Sequence, residues 1–311
     1  MHYTILDTAT LNHITKTYPI GDLESFKLLQ GGLENTNYLI TTTTGDFVLT
    51  ICEQKSKAEA LYLVELLGHL NVNGLSTTQI IKNKEGIWGT SYKGKPILLK
   101  TYLQGKVIPV LSNQQVEALG KQLATLHSIP TLPIIPTQLG YGIEHFKKVK
   151  AVAPTAPFCS WLFQTKAYIE SFFSESLPKA LIHSDLFYNN IIIDSPSNTL
   201  TIIDFEEAAY YYRIYDIGMT LVGVCSFDSQ LDLEKARHLL QGYQQLHPLT
   251  KAEQIGLQAF TVYAAAATAF WRYMNFNFVR PSEAQKDHYL EMQYLASHIQ
   301  AIPSLQFRTI F

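Results

Sequence analysis

The stretch from Leu181 to Glu207 constrains the fold more than any other part of this chain. An apolar lead-in brings His183 and Asp185 into a polar loop that ends at Asn190. Two short apolar runs follow, joined by a turn rich in Pro, Ser and Asn, and the second run ends close to Asp204. Such a pair of runs predicts a β-hairpin. Because a hairpin sets its entry beside its exit, the two carboxylates and the amide are predicted to converge.

This set of side chains suits phosphoryl transfer from a nucleotide. In that chemistry one Asp orients the attacking hydroxyl and accepts its proton, while an Asn and a second Asp hold Mg²⁺ against the phosphates. Mg²⁺ takes oxygen ligands and shares its octahedron among protein, phosphate and water. The pattern H-x-D-x-x-x-x-N, followed by an apolar run and D-F, is typical of kinases and their small-molecule relatives. The sequence therefore predicts a nucleotide-dependent phosphotransferase.

The length of the chain and its composition predict a two-lobed enzyme with a small-molecule substrate. Its 311 residues exceed the length at which one core usually divides, and we predict lobes over residues 1–103 and 104–311. A net charge of −2 argues against a nucleic-acid-binding surface. The three cysteines, far apart in sequence, favour neither a disulfide framework nor a metal cluster.

The distribution of apolar residues bears on the compartment. The opening MHYTILDTATLNHI lacks the basic start and apolar core of a secretory signal. No apolar run approaches the ~20 residues needed to cross a bilayer. We therefore expect a cytoplasmic enzyme that does not act on a membrane.

The first lobe is predicted to be rich in strands. Strand patterns over 26–30, 38–44 and 46–52 surround the segment GGLENTN, and further ones cover 77–82, 87–92 and 96–103. One helix is predicted over 57–70. A glycine-bearing turn between strands can lay backbone N–H groups against phosphates; the residues predicted to do so, with side-chain donors, are Gly31, Gly32, Asn35, Thr36 and Asn37. The break after the last strand, at Tyr102 and Leu103, is predicted to be the hinge that contacts adenine.

The rest of the chain is predicted to be mainly helical. Ser112 is a candidate N-cap for a helix over 115–127, and His127 at its end is assigned a structural role. Residues 129–157 are rich in proline and read as irregular. Further helices are predicted over the ranges 158–173, 215–224, 231–243, 251–274 and 282–299.

Taken together, these motifs resemble the aminoglycoside phosphotransferase superfamily. The likeness runs through GGLENTNYLITTTTGDFVLTICE, LIHSDLFYNNIIID, IIDFEEA and YDIG. Two later segments, ARHLLQGYQQLHPLT and AFWRYMNF, make the chain most similar to the phosphotransferase-type homoserine kinases. The resemblance implies an α+β, two-lobed protein-kinase-like fold, with a small antiparallel β lobe carrying one helix and a larger, mainly helical lobe.

The resemblance also implies roles for individual residues. Asp185 would be the catalytic base in a loop that includes His183, and Asn190 and Asp204 would hold Mg²⁺. ATP would be the phosphoryl donor, bound by the loop from Gly31 to Asn37. Asp216 in YDIG would be a buried carboxylate that braces the catalytic loop.

One departure concerns the third strand of the first lobe. Kinases usually carry a lysine there that neutralises nucleotide phosphates, whereas this chain has Thr50 in that slot. The homoserine kinase-like proteins share the Thr-x-x-Glu pattern seen here. Charge neutralisation must then come from the metal, from backbone donors or from another lysine, for which Lys55, Lys57 and Lys100 are candidates.

The acceptor is the least determined part of the prediction. An amino acid such as homoserine needs a partner for its carboxylate, for which Arg272 beside Trp271 is the candidate. Its ammonium group would suit Glu206 or Glu207, which stand where relatives carry an aromatic residue. An aminoglycoside, an amino alcohol or another hydroxylated amine stays open as the acceptor. So does a nucleotide-binding pseudokinase, although the retained Asp185, Asn190 and Asp204 argue against it.

Overall fold

The computed structural model describes residues 4–29 and 35–311. The chain divides into two compact units. The first consists of Met1–Gly105 with Thr201–Phe205, and the second of Lys106–Leu200 with Glu206–Phe311. The predicted domain limits at 103 and 104 stay a prediction. No helix within the described ranges combines the length and the apolar character needed to cross a bilayer.

The first unit is built on a five-stranded antiparallel sheet in the order β1-β2-β3-β5-β4. Its helices α1 and α2 precede and follow the first three strands. One face of the sheet packs on α1 through a cluster that includes Leu11, Tyr38, Leu49 and Ile97. The elements are α1 (Thr8–Thr15), β1 (Leu23–Leu29), β2 (Asn35–Thr42), β3 (Gly45–Cys52), α2 (Lys57–Val72), β4 (Thr90–Tyr92) and β5 (Lys95–Thr101).

The second unit is mainly helical, and its capping residues follow simple rules. Ser112 accepts a hydrogen bond from the Gln115 N–H and completes a capping box, as predicted. The helices are α3 (Asn113–Ser128), α4 (Lys147–Val152), α5 (Pro157–Glu170), α6 (Arg213–Val224), α7 (Leu233–Tyr243), α8 (Lys251–Met274), α9 (Tyr289–Ala301) and α10 (Ser304–Phe307). Short strands complete it: β6 (Lys179–Ile182), β7 (Ile191–Asp194), β8 (Thr199–Ile202), β9 (Ala209–Tyr212), β10 (Ser226–Phe227) and β11 (Gln230–Leu231).

The packing of the helices depends on a few small residues. A Cβ on Gly120 of α3 would collide with the backbone of α7, and one on Gly242 of α7 would collide with the backbone of α3. The two helices therefore approach more closely than alanine would allow. Helix α8 contacts α5, α6 and α9, and almost every residue from Ala259 to Phe270 is buried. It is the central helix of this unit.

Three sequence predictions of secondary structure are wrong. The range 129–157, predicted to be irregular, contains helix α4 and a 3₁₀ turn over Ile143–His145. Residues 77–82 make only isolated bridges through Ile80 and Lys82 rather than a strand. Helix α9 begins at Tyr289 instead of 282, because the chain leaves α8 through a π-helical turn over Asn275–Val279 and then turns after Pro281. The predicted hairpin is confirmed, since β7 and β8 form a two-stranded sheet.

Candidate active site

The loop that carries Asp185 is anchored by a buried carboxylate on α6. Strand β6 pairs with β9, and α6 begins immediately after β9. Its first turn places Asp216 against the loop, where it accepts hydrogen bonds from the backbone N–H groups of His183 (2.8 Å) and Ser184 (2.7 Å). The prediction that Asp216 braces this loop is confirmed by these two bonds, whereas the catalytic role of the loop stays a prediction.

His127 extends this anchor into the core. Its Nε2 lies 3.1 Å from Asp216 Oδ2, and its Nδ1 lies 2.8 Å from the Tyr243 hydroxyl. Because a carboxylate only accepts hydrogen bonds, Nε2 donates to Asp216. His127 is buried at the end of α3. Through these two contacts it connects α3 and α7 to the carboxylate that holds the loop of Asp185, which is the structural role that the sequence predicts.

The backbone of the loop is held in an uncommon conformation. Ser184 has a φ of 66°, in the left-handed region that non-glycine residues rarely occupy. The same residue donates from its hydroxyl to the Glu207 carbonyl and from its N–H to Asp216. These bonds offset the conformational cost, which is of order 1–3 kcal/mol.

Asp185 is half-buried and each of its carboxylate oxygens has a defined neighbour. Oδ1 accepts from the Tyr141 hydroxyl at 3.0 Å, and Oδ2 lies 3.4 Å from Asn190 Nδ2. Burial, and then the Asp185 charge, raise the pKa of Tyr141 well above its ordinary value. The phenol therefore stays protonated and donates. The backbone N–H of Asp185 also points at His183 Nδ1, at 3.2 Å.

Asn190 is fixed next to Asp185 by its amide nitrogen. It ends a single 3₁₀ turn (Tyr188–Asn190) and is almost fully buried. Its amide nitrogen donates to the Asp185 carbonyl at 2.8 Å. The carbonyl oxygen Oδ1 is then the atom left to face a ligand, and an oxygen is what Mg²⁺ prefers. Asn190 thus fits a magnesium ligand.

Asp204, the other predicted metal ligand, lies two residues beyond β8 in the segment Thr201–Phe205, which packs with the first unit. Its carboxylate is on an exposed residue, and its φ of 66° is again left-handed. Its convergence with Asp185 and Asn190 stays a prediction.

Within the first unit, the predicted phosphate-binding residues differ in the side of the sheet that their side chains face. Gly31 and Gly32 lie outside the described residues. Asn35 begins β2. Thr36 is fully buried on the face that packs on α1, and its hydroxyl donates to Glu53 Oε1 at 2.5 Å. Its side chain therefore serves the core, and only its backbone is left for a ligand.

Asn37 and Thr50 face the other side of the sheet. They are direct cross-strand partners in β2 and β3, and the Thr50 hydroxyl lies 2.7 Å from Asn37 Oδ1. This contact leaves the Asn37 amide nitrogen as a donor. Lys100 shares this face, because it lies two residues from Leu98, the partner of Thr50. The predicted hinge residues Tyr102 and Leu103 directly follow β5 and are half-buried.

The Glu of the Thr-x-x-Glu pattern is a structural residue. Glu53 is paired with Lys95 and also accepts from Thr36 and from the Thr4 N–H. Burial alone would raise its pKa, but these hydrogen bonds outweigh it and hold the pKa of Glu53 at about 2. Glu53 and its three partners therefore fix the segment before α1 to strands β2 and β5.

The predicted acceptor residues Arg272, Trp271 and Glu206 are each described by their local contacts or burial. Arg272 pairs with Glu291 of α9 at 2.6 Å and donates to the His288 carbonyl at 3.1 Å. The Trp271 ring packs edge-on against Phe276. Glu206 is half-buried just beyond the Asp-Phe pair.

Glu207 lies on the Asp185 side of the unit. A Cβ on Gly140 would collide with the Glu207 carboxylate, and Glu207 is among the charges that raise the Tyr141 pKa. Sequence reasoning missed the segment that contacts both, LGYGIE over residues 139–144. Its signal was the pair of glycines around Tyr141, inside a region that otherwise reads as irregular.

Comparison with known proteins decides the family. The model of the phosphotransferase enzyme family matches residues 25–249. The chain belongs to this family. A homoserine kinase of Rhodopseudomonas palustris (strain BisB18) is 32% identical over 265 residues, covering 82% of this chain and 80% of that protein. The predicted family, fold class and enzyme class are confirmed.

Solved structures show the same fold at lower identity. A microcompartment-associated aminopropanol kinase has a TM-score of 0.75 at 18% identity, covering 98% of this chain and all of that one. An amicoumacin kinase in complex with AMP-PNP, Ca²⁺ and Ami has a TM-score of 0.73 at 18% identity, covering 96% of this chain and 95% of that one. The second of these two proteins thus binds a nucleotide and a divalent metal.

Proposed function

We propose that this phosphotransferase is an ATP- and Mg²⁺-dependent kinase that phosphorylates the hydroxyl of homoserine. The observation that carries the proposal is the arrangement of Asp185, whose carboxylate is oriented by Tyr141 and Asn190 on a loop anchored to Asp216. The homoserine kinases among the relatives supply the choice of acceptor.

The proposed reaction is an in-line displacement. Asp185 orients the acceptor hydroxyl and takes its proton as the hydroxyl oxygen forms a bond to the γ-phosphorus. The bond from that phosphorus to the β–γ bridging oxygen breaks, and ADP leaves with the electron pair. Asn190 and Asp204 would hold Mg²⁺, which supplies positive charge to the phosphates. The protein's own contribution is mainly positioning, worth up to about 7–11 kcal/mol in well-oriented reactions.

The proposal assigns a neutral donor to the strand position where kinases carry lysine. The hydroxyl of Thr50 fixes the Asn37 side chain and leaves its amide N–H groups for an anionic ligand. Lys100 of the same sheet face is the candidate cation. Backbone N–H groups from Gly31 to Asn37 would complete the phosphate site.

The proposed compartment is the cytoplasm. It is supported by Cys159 and Cys225, both of which are free and buried. A reducing environment is where unpaired cysteines of this kind are normally found.

An amino alcohol is the second candidate acceptor, and one observation favours it. Arg272, the predicted partner of an acceptor carboxylate, is already engaged by Glu291. Removal of the carboxylate from homoserine gives 3-amino-1-propanol, so the two candidates differ by that single group. The aminopropanol kinase covers nearly the whole chain.

A panel of matched acceptors tests the proposal. Purified protein, ATP and Mg²⁺ are assayed for ADP release with L-homoserine, 3-amino-1-propanol, 4-hydroxybutyrate (homoserine without its ammonium group) and an aminoglycoside. We expect the highest kcat/KM with L-homoserine. A higher value for 3-amino-1-propanol would move the assignment to amino alcohols. Nucleotide binding with no turnover of any acceptor would instead support a pseudokinase.

A further inference from the structure

The segment Leu139–Glu144 brings two carboxylates to the neighbourhood of Asp185. Tyr141 contacts the Asp185 carboxylate directly. On one side of it, Gly140 lies against the Glu207 carboxylate; on the other, Gly142 lies against the Glu144 carboxylate, whose Oε2 would be 2.6 Å from a Cβ there. The glycines make room for both acidic groups next to the residue that orients the base.

Two polar atoms in this region are buried without a partner. Among the residues that the structure describes, neither Glu144 Oε1 nor the Tyr215 hydroxyl makes a hydrogen bond. Tyr215 is fully buried in the first turn of α6, next to Asp216. An unmade hydrogen bond of this kind costs about 1–3 kcal/mol, so each one calls for an explanation.

Both atoms belong to one locality. The Ile143 N–H, next to Glu144 in the chain, donates to the Tyr263 hydroxyl at 2.9 Å, and the Tyr263 ring packs edge-on against the Tyr215 ring with 4.7 Å between their centroids. Burial, followed by the charges of Tyr211, Asp185, Asp216 and Glu144, raises the pKa of Tyr215 well above its ordinary value. In addition, no lysine or arginine in the described ranges forms a salt bridge with Glu144. A negative charge without a counter-ion, beside an unused hydroxyl, is suited to a cationic hydrogen-bond donor.

A primary ammonium group meets these requirements. It carries one positive charge and three N–H donors, and a charge-assisted bond to a carboxylate is about twice as strong as a neutral one. We propose that Glu144 and the Tyr215 hydroxyl bind the ammonium group of the acceptor next to Asp185, with Glu207 bounding the site on the side of Gly140. This inference rests on the proposed kinase function and narrows its acceptors to hydroxylated amines.

The proposed ammonium site would select acceptors by the spacing between their amine and hydroxyl groups. An amine held there places its hydroxyl beside the base only if a few carbon atoms separate the two groups. The role differs from that of Arg272, since it requires no carboxylate on the acceptor. Both homoserine and 3-amino-1-propanol satisfy it, whereas 4-hydroxybutyrate does not.

Glu144→Gln is the principal test, because glutamine keeps the shape and removes the charge. We expect KM for L-homoserine to rise on the order of 10- to 100-fold, as for a lost hydrogen bond between charged groups, with kcat and KM for ATP little changed. The kcat/KM for 4-hydroxybutyrate should stay within about 2-fold, so discrimination between the two acceptors collapses. Glu170→Gln, on an exposed carboxylate of α5, is the matched control and should leave all constants unchanged.

Tyr215→Phe is the second test and guards against a purely structural explanation. Because the hydroxyl has no partner in the described chain, its removal should not lower the midpoint of thermal unfolding. It should still raise KM for L-homoserine several-fold. A fall in stability with no change in KM would contradict the inference, as would equal losses for L-homoserine and 4-hydroxybutyrate in Glu144→Gln.

The inference and the proposed function fail in different ways. If the wild type turns over none of the acceptors, the kinase proposal is wrong, and binding of 3-amino-1-propanol is then measured by calorimetry. Binding to the wild type that is lost in Glu144→Gln would retain the ammonium site without the reaction. Turnover of L-homoserine that is untouched by Glu144→Gln would retain the reaction and remove the site.

Discussion

Replacement of Asp216 by asparagine tests how the catalytic loop is held. The carboxylate accepts from the N–H groups of His183 and Ser184 and from His127 Nε2, at 2.8, 2.7 and 3.1 Å. All three donors are buried. Asparagine offers only one oxygen, and its NH₂ group would face a donor in either orientation.

The expected loss of stability follows from these three hydrogen bonds. A hydrogen bond to a charged group contributes about 1.5–3 kcal/mol, and a buried donor left without a partner costs about 1–3 kcal/mol. The free energy of unfolding of the second unit should therefore fall by about 3–5 kcal/mol. For a unit of this size each kcal/mol lowers the unfolding midpoint by about 2–4 °C, so the expected drop is roughly 6–20 °C.

The catalytic effect has a separate cause. The freed loop displaces Asp185, and a misplacement of about 1 Å can cost roughly 100-fold in rate. We expect kcat with the best acceptor to fall by about that factor, with KM for ATP nearly unchanged. Asp232→Asn at the N-cap of α7 is the control, because asparagine caps a helix as well as aspartate does. An Asp216→Asn protein with wild-type kcat and unfolding midpoint would refute the anchoring argument.

Three further substitutions give distinct signatures. Asp185→Asn should lower kcat by about 10²- to 10⁴-fold while nucleotide affinity, measured by calorimetry, stays near wild type; equal losses of both would place Asp185 on the metal. Asp204→Ala should abolish turnover and weaken Mg-nucleotide binding, and near-normal activity at ordinary Mg²⁺ would overturn the metal site. Because the folded-state pKa of Glu53 is depressed from 4.5 to about 2, its stabilisation is present above pH 4.5 and is lost as pH falls towards 2. Lys95→Met should shift acid unfolding, followed by circular dichroism, to higher pH; an unchanged midpoint would contradict this.

The elements that sequence periodicity predicts best are those whose burial pattern repeats over several turns. The helix over residues 251–274 is predicted with its limits intact, because one continuous apolar pattern follows a capping box at Thr250. The cap at Ser112 is local, so neighbouring residues suffice to predict it. The α+β class followed from motifs and their resemblance.

The failures lie where a distant partner decides the local structure. Residues 77–82 read as a strand because of their β-prone side chains, yet Thr77 uses its hydroxyl on the Ile202 carbonyl and the run forms only bridges. Strand formation depends on the pairing partner rather than on the run itself.

The same limit applies to the candidate site. Tyr141 and Asp185 are separated by 44 residues, and Glu144 and Tyr215 by still more. No spacing rule connects such residues. Only the fold brings the segment 139–144 to the loop that carries Asp185, which is why the sequence predicts the proposed base but not Tyr141, which contacts it.

The buried carboxylate of Asp216 is best explained by the single backbone conformation that it selects in the loop of Asp185. A buried polar network of this kind adds little net stability compared with apolar packing. Its bonds, however, select one backbone geometry: Asp216 accepts from the N–H of Ser184, the residue with the left-handed φ. Without that acceptor, the loop would relax towards ordinary φ values and turn Asp185 away from Tyr141. The polar core therefore contributes a fixed direction for the Asp185 carboxylate, which is the proposed base.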